Sequence, residues 1–389
     1  MNWDDIIIDA AATDTGMRRS NNQDSHSAVR ASNVELWRQR GHLFIVADGM
    51  GAHAVGELAS KMACDNIPHY YNKTKAGTPA EAISKAFREV GALIHGRATA
   101  NRDFQGMGTT CSSLLLLPQG ALIAHVGDSR VYRVRRGRID QLSFDHSLAW
   151  ELIRRNHLSP ENARLSVPKN VITRSLGPEV TVEVDVEGPL AVEHGDVYVL
   201  CSDGLTGLVE DPEVGAFAEN FHPNDACRYL VSLANLRGGH DNITVMILRV
   251  GPWVAPEATG EATSGAPAPA SPGREKAGGW RGGLTKLLNS ARRTSGPATV
   301  EDHPYRTAEC PASLELVDRV SELARKAQAQ AIDQAWSLDW PEFTNFRRQE
   351  TEARASGDLR AALREVGETL VLLDQAAREH KTSGADSAV

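Results

Sequence analysis

The chain has 389 residues, 41% apolar and 24% charged, proportions of a globular protein that can bury a core without disulfide or metal staples. Its formal net charge of -8 and isoelectric point near 5.9 argue against nucleic acid as the main partner, because such binders usually carry a basic surface. No apolar stretch reaches the roughly 18 residues that span a bilayer, and the five widely spaced cysteines read as buried, reduced thiols of a cytoplasmic protein.

The first residues, MNWDDIIIDAAATD, lack the positive n-region and long h-region of a signal peptide. Next comes TGMRRSNNQDSH, residues 15–26, where Arg19 offers a planar fork suited to a phosphate dianion and stands close to Asn22 and Asp24. A solvated arginine beside a polar turn is the plain alternative. The apolar run 43–47 reads as a buried strand that ends in Asp48-Gly49. A carboxylate is thus delivered at the tip of a rigid element, and Gly49 leaves its own carbonyl open to a ligand or ion.

Further strands are expected at 110–117, 122–126, 131–134, 180–186, 197–201 and 243–250. Short turns at 118–120 and 135–138 make much of the sheet antiparallel. Helices are expected at roughly 54–66, 79–98, 147–156 and 224–236, which gives an α+β domain over 1–251. Residues 252–303 are rich in Pro, Ala and Gly and read as a disordered linker. A short amphipathic stretch inside it, with Trp280, Leu284, Leu287 and Leu288 among basic residues, is a weak candidate for a membrane-surface or partner helix. From 304 to 381 three helical stripes form a small bundle: Leu316 to Ala331, a second helix started by Asp339 and carrying Phe343 and Phe346, and a third from Leu359 to Leu373 after the Gly357-Asp358 break.

Three more aspartates repeat the first setting. Asp128 lies between two strands in VGDSRVY, Asp203-Gly204 follows the run VYVLC, and Asp241 immediately precedes the final strand. Hard divalent cations take oxygen ligands, and clustered carboxylates are tolerable when a cation neutralises them. If the strand ends meet, four carboxylates share one site; otherwise each Asp merely opens a turn. His53, His146 and His240 lie near these motifs and read as turn or cap residues.

Taken in order, RSNNQDS, VADGMGAH, GTTCSSLLL, AHVGDSRVY, DHSLAWELIRRNHLSP, ITRSLG, LCSDGL and GGHDNITV resemble the metal-dependent protein phosphatases of type 2C, in particular the bacterial branch, over about residues 1–250. The resemblance implies an antiparallel β-sandwich flanked by helices, to which this chain adds the C-terminal bundle. It also implies a binuclear Mn²⁺ or Mg²⁺ cluster in which Asp48 bridges the ions, the Gly49 carbonyl binds one, and Asp203 and Asp241 complete the other. Asp128 with Asp203 would hold a third, weaker ion. Arg19 would grip the substrate phosphate, Asp24 would order water in the outer shell, and the segment 145–177 would be a flap over the site. Two positions depart from the pattern: Met50 replaces a histidine found in eukaryotic members, and Gln23 stands where many relatives have Glu. The implied activity is hydrolysis of phosphoserine and phosphothreonine in proteins by an activated water, opposing a bacterial Ser/Thr kinase, with the C-terminal bundle free to bind another protein. A catalytically inert phosphatase-fold binding module is the second reading, and an enzyme of small phosphate esters the third.

Overall fold

The computed structural model describes residues 7–51, 55–75, 77–154, 171–251 and 304–386. The expected linker with its amphipathic stretch, His53 and the middle of the flap segment lie outside these residues.

Two antiparallel sheets stack face to face. One runs from edge to edge as β1 (Ile7–Asp14), β11 (Ile243–Val250), β10 (Val197–Cys201), β7 (Arg130–Arg135), β8 (Arg138–Gln141) and β12 (Arg306–Glu309). The other runs β2 (Asp24–Val29), β3 (His42–Met50), β5 (Cys111–Leu117), β6 (Gly120–Val126) and β9 (Asp185–Leu190), and the two-residue β4 (Gly108–Thr109) pairs with the end of β3.

The central strands are buried on both faces, which explains why they read as continuous apolar runs. In β3, Phe44 and Val46 point between the sheets while Leu43, Ile45 and Ala47 point to the helices outside. In β10 and β11 the same alternation puts Tyr198, Leu200, Met246 and Leu248 between the sheets, and Val197, Val199, Val245 and Ile247 on the opposite face. Continued past the last apolar residue, this period of two directs Asp48, Ser202 and Thr244 into the gap at one end of the sandwich. The interior is therefore largely apolar around β3, β10 and β11, holds the buried Arg133–Asp140 ion pair between β7 and β8, and is polar at that end.

Helices α1 (Val34–Arg40), α2 (Val55–Lys73) and α3 (Pro79–Ala100) accompany the second sheet, α3 entering through a capping box between Thr78 and Glu81. After α4 (Leu148–Arg154) and the single turn α5 (Asp203–Thr206), α6 (Asp211–Asn220) and α7 (Pro223–Leu236) cover the first sheet. The expected strand at 180–186 lies later, at Asp185–Leu190: Val182 and Val184 rest against the α2–α3 core without a strand partner, so their alternation mimics a ladder position.

The described residues of 304–386 belong to one compact unit with the described residues of 7–251. Their strand β12 extends the first sheet by pairing with β8, Arg306 opposite Gln141 and Glu309 opposite Arg138. Helices α8 (Leu314–Asp333), α9 (Trp340–Ser356) and α10 (Leu359–Asp386) follow. Leu316, Val320, Ala327, Phe343, Leu363, Val366, Leu370 and Leu373 share a single core with Phe217, Tyr229 and Leu233 of α6 and α7. Gly367 lies so close to the Tyr229 ring that a Cβ there would fall 2.8 Å from it. Asp339 caps α9 by accepting from the Glu342 amide, and Gly357 ends it in the left-handed region at φ 80°.

Candidate active site

The polar end of the sandwich gathers the expected acidic set. Asp48, two residues before the end of β3, lies directly opposite Asp24 at the start of β2. Its carbonyl accepts from the Thr110 amide and the Thr109 hydroxyl, each at 2.9 Å, and its amide donates to Thr110 Oγ1 at 3.0 Å. Thr110 Oγ1 also lies 2.8 Å from Ser129 Oγ, which couples this strand end to the turn bearing Asp128. Gly49 donates to the Gln23 carbonyl at 3.1 Å. A Cβ at Gly49 would fall 2.0 Å from the Gly56 carbonyl oxygen, so only glycine allows the chain to pass α2 here.

Asp203 follows β10 and Asp241 precedes β11, strands paired so that Cys201 faces Val245. Gly204 carries the same restriction as Gly49, since a Cβ would meet the Asn242 carbonyl oxygen at 1.9 Å. Arg19 donates to Asp241 Oδ2 at 2.8 Å, and both remain open to solvent at 49% and 30% exposure. The N-terminal phosphate candidate and the last aspartate, 222 residues apart, thus meet at one rim.

The electrostatics follow from crowding. Burial, joined by the negative charges of Asp24, Asp203, Asp128 and Asp241, holds the Asp48 carboxyl well above the usual carboxylate range. Burial and the neighbouring Asp203 push Asp128 up to about 8, and burial pushes Asp24 up to about 7 against the hydrogen bond from Ser202. Asp203 is raised by burial and by Asp241. One oxygen each of Asp24, Asp128 and Asp203 is buried without a hydrogen-bond partner.

Among the described residues no three His, Cys, Asp or Glu side chains close into a formed cation cage. The fit to a cation is therefore judged on donor chemistry. Buried acceptor oxygens without donors, on carboxylates that raise one another's pKa, are the donor chemistry that suits hard divalent cations. Asp241 adds a further carboxylate at the solvent-exposed rim of the same end.

Several contributors carried weaker sequence signals. Asn242 is a hub: its amide nitrogen donates to the Thr15 and Asn21 carbonyls at 3.0 and 2.9 Å, and its Oδ1 accepts from the Gln23 amide at 2.9 Å. Ser202 donates to Asp24 Oδ2 at 2.7 Å and accepts from the Thr244 amide at 2.9 Å. Asn242 and Ser202 stand beside aspartates already singled out, and that adjacency was their only mark. His146 is fully buried. Its Nδ1 accepts from the Gly127 amide at 3.0 Å, which places it as a brace for the Asp128 turn. His240 is exposed. Met50 pairs with Gly108 at the end of β3. The five cysteines are free and buried, and burial pushes the Cys201 thiol up to about 12, away from nucleophilic use. The returning arm of the flap segment is anchored beside the site by the Thr109–Leu176 bridge.

Residues 17–235 match the family model described as Protein phosphatase 2C. The chain is similar to the protein phosphatase PhpP of Streptococcus pneumoniae, 35% identical over 242 residues that cover 61% of this chain and 94% of the relative. Among solved structures it is similar to the serine/threonine phosphatase of S. agalactiae, with a TM-score of 0.57 and 34% identity over 63% of this chain and 99% of that one. It is also similar to the catalytic domain of the serine/threonine phosphatase PstP in complex with two manganese ions, with a TM-score of 0.54 and 30% identity over 64% of this chain and 99% of that one. Strand β12 and helices α8 to α10 lie beyond the residues matched by the family model.

Proposed function

The chain belongs to the protein phosphatase 2C family and is a protein-serine/threonine phosphatase, and from that premise we propose that it hydrolyses phosphoserine and phosphothreonine with divalent cations held by Asp48, the Gly49 carbonyl, Asp128, Asp203 and Asp241. The observation that carries this reading is the set of partnerless buried oxygens on Asp24, Asp128 and Asp203 at the same strand ends. When bound, Mn²⁺ or Mg²⁺ would supply acidification of the attacking water and neutralisation of the charge that develops on the phosphoryl oxygens.

The chain's own residues do the rest. Arg19, exposed at the rim, exchanges its bond to Asp241 for two oxygens of the substrate phosphate. Asp24, oriented by Ser202, keeps Oδ1 available to hold a proton from the nucleophile's shell. Thr109 and Thr110 fix the backbone of Asp48, and Asn242 fixes the loop that bears Arg19 and Asp24. Met50 has no proton to give, so the leaving alkoxide takes its proton from solvent. Direct hydrolysis needs no protein nucleophile, in keeping with the suppressed Cys201 thiol. The natural counterpart of such an activity is a Ser/Thr kinase acting on the same phosphoproteins.

The test is phosphate release from phosphothreonine and phosphoserine peptides by the full chain with Mn²⁺, with EDTA, and for Asp203→Asn and Asp241→Asn. Activity should vanish in EDTA and fall about 10²- to 10³-fold in either variant. Full activity in EDTA would overturn the metal mechanism, and a wild-type chain inert with every divalent cation would favour a binding module.

A further inference from the structure

The end of α10, which the family match does not include, reaches the loop that presents Arg19. Lys381 Nζ donates to the Met17 carbonyl at 2.6 Å, two residues from Arg19 and 364 residues away in sequence. One turn earlier, Arg378 pairs with Asp14 at 2.8 Å and with Asp374 at 3.1 Å. Asp14 in turn accepts from the Gly16 amide at 2.7 Å, so the helix grips both ends of the segment 14–17. Asn235 of α7 ties the same group together through Asp374.

That segment has little freedom of its own. Gly16 adopts φ +76°, and a Cβ there would lie 2.1 Å from the Asp241 carbonyl oxygen. The Met17 amide donates to the Gly239 carbonyl at 2.8 Å. The loop bearing Arg19 is thus pressed against the loop bearing Asp241, with α10 behind it. Between helix and loop lies a cleft of about 300 Å³, lined by Met17, Arg19, Arg378, Lys381 and Thr382. Among the described residues Lys381 forms no ion pair with a carboxylate, and its ammonium is spent on the loop carbonyl.

We propose that the C-terminal helix is a working part of the catalytic face, with Lys381 and Arg378 as positioning residues that hold the 14–17 segment and so aim Arg19 at the substrate phosphate. The proposal rests on Arg19 as the phosphate-binding group. A loop held in place loses less freedom when phosphate binds, so the effect falls on substrate affinity and leaves the chemical step alone.

The experiment uses the full chain with Mn²⁺ and compares wild type, Lys381→Ala, Lys381→Arg, Arg378→Ala and Arg19→Ala in kcat, KM for an aryl phosphate and a phosphothreonine peptide, and Tm. Lys381→Ala and Arg378→Ala should each raise KM about three- to fivefold at nearly constant kcat, and Lys381→Arg should restore the wild-type KM. If Arg19→Ala raises KM while neither helix variant does, the inference is overturned and the role of Arg19 stands. If Arg19→Ala also leaves KM unchanged, the phosphate-binding role fails and the inference falls with it. A loss of Tm with kcat and KM moving together, not rescued by arginine, reduces the contact to packing and likewise overturns it.

Discussion

A carboxylate is easy to bury only when something shares its charge, and at this site the sharing is incomplete. Asp24 and Asp128, pushed up to about 7 and about 8, bind protons in the folded chain that they release near pH 4 when unfolded. Their contribution is thus most favourable below about pH 4 and declines as pH rises to about 8. The metal-free chain should accordingly melt at lower temperature at pH 8 than at pH 5, and Mn²⁺ should recover the difference. Asp203→Asn should raise the Tm of the metal-free protein and, with Mn²⁺ present, lower turnover about 10²- to 10³-fold, a combination that a merely structural aspartate would not give. Asp185 behaves in the opposite sense: burial opposes its charge, but the bonds from His146 and Arg174 prevail and lower it to about 2. Its contribution is present above about pH 4 and is lost as pH falls towards 2, so Asp185→Asn should flatten the acid limb of a pH–Tm profile. At Gly49 the limit is steric. Gly49→Ala should cost about 1–3 kcal/mol in a denaturant melt, because the new methyl meets the backbone of Gly56.

At the level of elements, the site is made by strand ends, and this is why so much of it was legible. Apolar runs that stop at Asp48 or just before Asp203, or that begin just after Asp241, show in the chain where a two-face-buried strand must start or end. What remained hidden was what pairs across long separations. Strand β2, DSHSAV, is too polar to read as a strand and forms because Asp24 to Val29 find β3 as a partner. Strand β1 had no turn signal and is set by its register with β11. The C-terminal stripes were visible as helices, yet nothing in a stripe says which surface it covers. Here that surface is α6 and α7, with Tyr229 donating to Glu368 at 2.6 Å and lying flat against Gly367. Gly367→Val should therefore destabilise the chain by about 1–3 kcal/mol in a denaturant melt, although it lies far from the aspartates. Deleting residues 304–389 should expose the edge of β8 and the apolar face of α7, and the truncated chain should aggregate in size-exclusion chromatography.

Across the whole molecule, a sandwich that is largely apolar inside and acidic at one end concentrates negative charge where a dianionic substrate must arrive. Such a site works if cations reverse the local sign, and every role assigned to Arg19, Asp24 and Asp128 presumes that they do. The most direct measurement is a calorimetric titration of Mn²⁺ into the metal-free full chain, wild type against Asp48→Asn. The wild type should bind more than one ion, and Asp48→Asn, which loses the proposed shared ligand, should bind fewer ions or bind them at least about tenfold more weakly. An Asp48→Asn chain that takes up as many ions with the same affinity would contradict the assignment of these carboxylates as the metal centre.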